Sequence, residues 1–152
     1  MSNNTIEIRN FRESDAAHVS TLIRRCWEEL VLGDYDPKGI QIQIEETRPE
    51  KLIELNDTVK FFVAERGEII AGFGGYDNEL VRLMFVSPEF QRKGIGSLIL
   101  KCILADANRQ GIKKLECNST IYAVPFYLKH GFIEKGEVDF KNIYFKRMLI
   151  KL

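Results

Sequence analysis

Two glycines separated by one residue, Gly94 and Gly96, lie between the basic pair Arg92 and Lys93 and a segment with the apolar spacing of a helix. Glycine has no Cβ, so a ligand can approach its backbone closely. The first turn of a helix presents unpaired N–H groups and the positive end of the helix dipole, which bind anions such as a pyrophosphate. Ser97 can add a hydroxyl donor. These residues predict an anion site where that helix begins.

Two common phosphate-binding motifs are excluded at this turn. The GxxxxGK[ST] loop needs Lys followed by Ser or Thr at its second glycine, and no such pair follows Gly96. The GxGxxG fingerprint needs a third glycine where Leu98 and Ile99 stand. The turn alone therefore leaves two interpretations: a phosphate site of another kind, or a plain strand-to-helix connection whose glycines only relieve backbone strain.

A buried strand and an amphipathic helix are expected to position this turn. The apolar run at 80–86 predicts the strand, which Ser87 and Pro88 end, and the apolar spacing over 97–110 predicts the helix. Five further strands are predicted at 6–9, 61–65, 69–73, 114–118 and 143–149. Four further helices are predicted, one following Ser14 and Asp15 and ending at Leu30, and the others at 37–46, 49–55 and 125–129. The pattern indicates one α+β domain over 1–152 with a mostly antiparallel sheet.

The composition is typical of an ordinary globular domain and argues against several function classes. The 22 basic residues balance 22 acidic ones, so no net charge attracts nucleic acid or a membrane surface. Three cysteines without a CxxC pair and only two histidines argue against a zinc site, and we expect no metal. No apolar run has the length of a signal peptide or a membrane span, so we expect a cytoplasmic protein.

Two separate blocks of the sequence resemble the GCN5-related N-acetyltransferase (GNAT) superfamily. The segment from Gln91 through Ile95 to Gly96 is similar to its Q/R-x-x-G-x-G/A signature, and residues 83–88 are similar to the strand that precedes that signature. The second block, AVPFYLKHGF at 123–132, is similar to the superfamily pattern A-x-x-F-Y-x-x-x-G-F. The other predicted elements follow in the same order, so the resemblance covers essentially the whole chain.

The resemblance implies a GNAT fold, a mixed α/β domain with a central twisted sheet of about six to seven mostly antiparallel strands flanked by helices. Two central strands, here 80–86 and 114–118, are expected to splay apart where acetyl-CoA binds. Main-chain groups of Phe85 and Val86 are then expected to pair with the pantetheine amides. Backbone N–H groups from Gln91 to Gly96 are expected to hold the pyrophosphate.

The resemblance also implies a proton donor and leaves the base open. It places Tyr127 near the CoA sulfur, where a phenol with an ordinary pKa of about 10 stays protonated at neutral pH and can protonate the departing thiolate. The alternative is that Tyr127 only packs beside Phe126. Glu79, at the start of the central strand, is the candidate base through a water relay, and a solvated strand-end carboxylate is its alternative. Cys117 stands in an apolar strand, so we expect a buried thiol and no acyl-cysteine.

The acceptor side is the least defined part of the expected site. Tyr35 lies between Asp34 and Asp36 on the loop where family members often build acceptor pockets, so Tyr35 is our candidate for substrate binding, although Asp-Tyr-Asp-Pro is also typical of a plain turn. Many family members carry Asn at the position of Thr120. Asn118 is expected to supply that polar contact beside the thioester, unless it is an ordinary strand-end residue.

These expectations together describe an acetyl-CoA-dependent N-acetyltransferase. The acetyl group is expected to pass directly to a primary amine in a ternary complex, and the short loops favour a small-molecule acceptor. The alternative is a non-catalytic module that binds CoA as a sensor or regulatory subunit. No nucleic-acid or membrane partner is expected, and a homodimer is compatible with the sequence because dimers are the commonest assembly of soluble domains.

Overall fold

The sheet carries the functional segments and orders them across the molecule. The computed structural model describes residues 5–152, and within that range seven strands form one sheet: β1 (Ile6–Asn10), β2 (Lys60–Arg66), β3 (Ile69–Asp77), β4 (Leu80–Val86), β5 (Lys114–Ser119), β6 (Ile133–Phe140) and β7 (Ile143–Lys151). Their spatial order is β1-β2-β3-β4-β5-β7-β6. Every pairing is antiparallel except that of β4 with β5. The mostly antiparallel sheet of the sequence analysis is confirmed.

Helices cover both faces of the sheet and create a core on each. In the described range they are α1 (Ala16–Leu30), α2 (Pro37–Glu45), α3 (Pro49–Leu55), α4 (Ile95–Arg109) and α5 (Val124–Lys129). On one face, here called the α4 face, Ile99 and Ile103 are fully buried. On the other, the α1 face, Val19 and Ile23 are buried against Phe73 of β3. None of these helices is long and apolar enough to cross a membrane.

A bulge in β4 changes which face its side chains meet. Leu83 and Met84 of β4 together lie opposite Gly74 of β3, and Leu83 has a φ of 55°, in the left-handed region that non-glycine residues rarely adopt. Side chains alternate between faces along a strand, so one extra residue reverses the alternation. Val81 and Val86 are five positions apart and would face opposite sides of a regular strand, but the bulge places both on the α4 face.

A buried carboxylate fixes the carboxyl end of α4 to the sheet. Asp106 accepts hydrogen bonds from Lys60 Nζ of β2 at 2.8 Å, from the Tyr76 hydroxyl of β3, and from Arg109 at 2.9 Å. Burial alone would raise the pKa of the Asp106 carboxyl, but the hydrogen bonds from these three donors outweigh burial and lower that pKa. The anchored helix therefore presents its first turn at a fixed place beside β4.

One strand and the start of one helix differ from the predictions made from the sequence. Strand β6 was not predicted, because its segment Ile-Glu-Lys-Gly-Glu-Val-Asp-Phe has no sustained alternation of apolar and polar residues. β6 is an edge strand with mostly exposed side chains, so neither face demands apolar residues. The helix expected from Ser97 begins two residues earlier, at Ile95, because Gly94 already occupies the N-cap position. The other predicted strands and helices are present.

Replacing Asp106 with Asn should lower stability, and the loss should depend on pH. The variant leaves Lys60 and Arg109 without their charged partner, and because both cations are largely exposed, the loss should be that of hydrogen bonds to a charged group, about 1.5 kcal/mol. The folded pKa of Asp106 lies below its unfolded value of about 4, so its contribution is present above pH 4 and is lost as pH falls through the folded pKa. Urea unfolding of both proteins at pH 7 and pH 3 should show a difference that shrinks at pH 3. Asp57→Asn, at an exposed position, is the matched control; an equal difference at both pH values would contradict the assignment.

Candidate active site

A gap opens between β4 and β5, the two parallel neighbours. Their ladder has a single register pair, Leu80 with Glu116, and the Glu116 N–H donates to the Glu79 carbonyl at 2.7 Å. Towards Val86 and Ser119 the strands part. We call this gap the wedge and the Leu80 pair its closed end. Because backbone N–H and C=O groups require partners, the edges of the wedge can accept an extended ligand as a strand would. The predicted splay of the two central strands is confirmed.

The glycine turn lies at the open end of the wedge and leads directly into α4. Gly94 is the N-cap residue with a φ of 79°, and no side chain among residues 5–152 caps this helix. The first N–H groups of α4 are therefore free for an anion. Arg92 and Lys93 are exposed beside them, Ser97 is half-buried, and the buried side chain of Ile95 leaves only its backbone for a ligand.

Gly96 is required by the contact between α4 and α5. A Cβ at this position would lie 3.1 Å from the ring of Phe126, tighter than side chains ordinarily pack. The glycine thus brings the first turn of α4 close to the second sequence block, which begins α5. This contact places the predicted anion site and Tyr127 in one region of the molecule.

The carbonyl group of Val86 already has two donors. Gln91 Nε2 donates to it at 2.6 Å and the Cys26 thiol at 3.1 Å, while the Tyr122 hydroxyl donates to Gln91 Oε1 at 3.2 Å. The Gln91 side chain consequently spans the open end of the wedge, from β4 to the segment before α5. A ligand amide that pairs with the Val86 carbonyl must displace one of these two donors. No local pattern predicts this role of Cys26, because the contact joins residues 60 positions apart.

Tyr127 is buried on the β5 side of the wedge. Its side chain is 5% exposed and its ring meets Phe126 and Phe132 edge-on, each with centroids 5.1 Å apart. Burial, and next the adjoining Cys117 thiol with which its hydroxyl hydrogen-bonds, raise the pKa of Tyr127 well above its usual value. The phenol therefore keeps its proton throughout the physiological range.

Burial also raises the pKa of the Cys117 thiol, to about 12, although the hydrogen bond from Tyr127 lowers it in part. A thiol needs its thiolate form to act as a nucleophile. Cys117 is therefore a protonated, buried thiol, as the sequence analysis expected. Its side chain and that of Tyr127 belong to the same core on the α4 face.

Tyr35 lies on the α1 face and links two loops. Its hydroxyl accepts a hydrogen bond from the Ile121 N–H at 2.9 Å, and its ring meets Trp27 edge-on with centroids 6.1 Å apart. Burial raises the pKa of Tyr35, so the hydroxyl keeps a proton that it can donate. The neighbouring Asp36 accepts from the Lys38 N–H at 3.0 Å and thereby caps α2, so Asp36 has a structural use.

Glu79 and Asn118 lie apart from Tyr127. Glu79 is exposed in the turn before β4, at the closed end of the wedge, about 20 Å along the strand from Val86 at 3.3 Å per residue. Asn118 is exposed and alternates with Cys117, so it points to the α1 face. The structure thus brings the glycine turn, Gln91 and Tyr127 together, and it places Glu79 and Asn118 outside that group. Among residues 5–152 no group of three or more His, Cys, Asp or Glu side chains is suited to a metal.

Comparisons with known proteins agree with this geometry. The family described as Acetyltransferase (GNAT) domain matches residues 31–152. The chain is 26% identical over 153 residues to the uncharacterized N-acetyltransferase YafP of Escherichia coli (strain K12), covering 97% of this chain and 96% of that protein. A GCN5-related N-acetyltransferase structure from Rhodopseudomonas palustris superposes with a TM-score of 0.89 at 18% identity, covering 100% and 99% of the two chains. The PaiA N-acetyltransferase of Thermoplasma acidophilum, in complex with coenzyme A, gives 0.81 at 24% identity, covering 97% and 99%.

The thiols should differ in reactivity as their burial predicts. Cys26 and Cys117 are buried and burial raises the pKa of each to about 12, whereas Cys102 is partly exposed. Iodoacetamide at pH 8 should therefore modify Cys102 first in the native protein and the other two only after unfolding, as peptide mass spectrometry can measure. Cys102→Ser is the control and should abolish the fast phase. Rapid native alkylation of Cys117 would show that it ionises readily and would reopen a covalent route.

Proposed function

The chain belongs to the GNAT family of acetyltransferases, and from this we propose that it transfers the acetyl group of acetyl-CoA directly to a primary amine of a small molecule. Residues 1–152 act as one catalytic domain. The observation that carries the proposal is the wedge, which opens beside an uncapped helix N-terminus and a buried phenol. A strand-like ligand with an anionic end and a thioester fits that combination.

The pyrophosphate of acetyl-CoA binds the glycine turn. Backbone N–H groups from Gln91 to Gly96 surround it, Ser97 donates a hydroxyl, and the exposed Arg92 and Lys93 add positive charge. The pantetheine arm lies in the wedge and pairs with backbone groups of Phe85 and Val86. Gln91 leaves the Val86 carbonyl as the arm enters, so its side-chain amide becomes free to contact the cofactor.

Tyr127 protonates the sulfur. The neutral amine nitrogen attacks the thioester carbonyl carbon, the C–S bond breaks, and the sulfur takes the Tyr127 proton. The new amide nitrogen then gives up its extra proton, which returns the Tyr127 phenolate to its protonated form. An ordinary thiolate is a weaker base than a phenolate, so this transfer needs a thiolate of raised basicity. Burial raises the pKa of the Cys117 thiol to about 12, and a CoA sulfur at the same depth meets the same low dielectric. Burial raises the pKa of the Tyr127 phenol as well, so the proton passes as the C–S bond breaks and no free thiolate has to form.

The attacking amine must lose its proton to a base, and the acceptor enters from the α1 face. Glu79 is proposed to remove the proton through a water relay, since it lies on the exposed rim at the closed end of the wedge. Tyr35 faces the acceptor and donates a hydrogen bond to it, and Asn118, on the same α1 face, is proposed to contact the thioester from the side opposite Tyr127.

Tyr127→Phe should lower kcat about 100-fold or more while leaving the binding of acetyl-CoA nearly unchanged. The substitution removes the proton donor and keeps the ring in its pocket, and general acid catalysis contributes at least about that factor. Consumption of acetyl-CoA with a panel of amines gives kcat and KM, and thermal shift with CoA gives binding. Tyr144→Phe removes an exposed hydroxyl on β7 and should change neither quantity.

The outcomes of this experiment separate catalysis from simple binding. Unchanged turnover of Tyr127→Phe would contradict the acid role. Thermal protection by CoA without turnover of any amine would support a non-catalytic CoA-binding module. Absence of protection by CoA would contradict the proposed cofactor.

Glu79→Gln should lower kcat about tenfold at neutral pH with little change in thermal stability, because the exposed side chain contributes a proton acceptor and not packing. Glu68→Gln, in the exposed turn between β2 and β3, is the matched control. Steady-state kinetics with the best amine of the panel measure the effect. If kcat stays at the wild-type value, Glu79 is a solvated strand-end carboxylate and another base must be sought.

A further inference from the structure

A row of polar side chains crosses the α1 face of the sheet next to the wedge. Asn118 of β5 pairs in register with Arg147 of β7. Leu80 pairs with Glu116, so Arg82, two residues further along β4, comes level with Asn118. We call Arg82, Asn118 and Arg147 the polar row. It lies two residues, about 7 Å, from the closed end of the wedge towards its opening.

The strand register puts both arginines on this face. Arg82 lies opposite Gly75, and a Cβ on Gly75 would touch Phe61, which belongs to the core of the α1 face. Arg147 has the same parity along β7 as Ile143 and Phe145, which are buried in that core. The two arginines therefore lie on this face on either side of Asn118, one on each neighbouring strand, with their guanidinium groups turned towards Asp77 and Glu116.

Both arginines keep most of their hydrogen-bonding capacity. Within the described residues, Arg82 Nη1 meets Asp77 at 3.3 Å and Arg147 Nη2 meets Glu116 at 3.5 Å, both long contacts to a single oxygen. A guanidinium carries five N–H donors. The side chains are 30% and 47% exposed, so the remaining donors face solvent on the acceptor side.

The positions of the charged residues along the strands determine which charge an acceptor meets first. Asp77 and Glu116 both lie level with Leu80, at the closed end of the wedge, whereas the arginines lie about 7 Å nearer to its opening. An acceptor that approaches the thioester from the α1 face therefore meets the cations before the carboxylates. A polycation would be repelled at that row, and an anionic group would be attracted.

We infer that the acceptor is an amino acid or similar amino carboxylate, and that Arg82 and Arg147 bind its carboxylate. This inference rests on the proposed acetyl transfer. Across β4, β5 and β7 the two arginine Cα atoms are about 10 Å apart or more, a distance that two arginine side chains span to reach one carboxylate above Asn118. Guanidinium groups pair with carboxylates through parallel hydrogen bonds, which fixes orientation as well as charge.

The same cations help to prepare the nucleophile. A positive charge near an ammonium group disfavours the charged form, and only the neutral amine attacks the thioester. An amino acid held by its carboxylate at the polar row carries its amine on the adjacent carbon. Binding of the carboxylate therefore also brings the amine to the wedge.

The test compares free amino acids with their carboxamides as acceptors for the intact protein. These pairs differ in the carboxylate charge and in the basicity of the amine, so rates are measured over a range of pH and compared per neutral amine. On that basis we expect kcat/KM at least tenfold higher for the acids. Arg82→Gln and Arg147→Gln should each raise KM for the acids about tenfold and change KM for the amides much less, as expected for loss of a hydrogen bond to a charged group. Arg24→Gln, exposed on α1, is the control.

Each outcome separates this inference from the proposed function. Equal rates for acids and amides, or faster transfer to diamines, overturn the inference and leave acetyl transfer intact. Transfer to no amine by a protein that CoA stabilises overturns both. The wild-type comparison requires no variant, so an unstable arginine variant does not affect it. If one arginine variant unfolds, Arg82→Lys and Arg147→Lys keep the charge and should restore part of the preference for acids.

Discussion

The parting of β4 from β5 is the constraint on which the rest of the site depends. A sheet gains its stability from continuous ladders, yet these central neighbours share one register pair. The chain compensates locally: the Val86 carbonyl, which would otherwise lack a partner on that side, accepts from Gln91 and Cys26. The opening is therefore supported by side chains that can withdraw, and the backbone remains ready to pair with an extended ligand.

Low dielectric around the wedge organises the chemistry. A phenol and a thiol buried together both hold their protons more tightly, so neither Tyr127 nor Cys117 ionises near neutral pH. This disfavours a cysteine nucleophile and raises the basicity of any sulfur leaving group at the same depth. The same burial thus argues against a covalent cysteine intermediate, as the proposed direct transfer requires.

Local sequence patterns predicted those strands and helices whose apolar positions are buried in the core. Alternation and helical spacing located six strands and all five helices, and the glycine turn was assigned from its residue types. β6 was missed because an edge strand is exposed on both faces and carries no such pattern. Contacts between distant segments had no local signal: the bonds of Gln91 and Cys26 to Val86 and the Tyr35 link to Ile121 depend on tertiary packing. The roles of Glu79, Asn118 and Tyr35 stay predictions.

The bulge at Leu83 divides β4 into two parts that vary independently. Residues before it carry Arg82 of the polar row, and residues after it carry Phe85 and Val86, which we propose to pair with the cofactor; each part has its own parity. New side chains in the first part would not disturb the alternation of the second, so the proposed acceptor and donor contacts could change separately. Deleting the single extra residue would instead exchange inward and outward positions along half the strand, and the two specificities would no longer be separable.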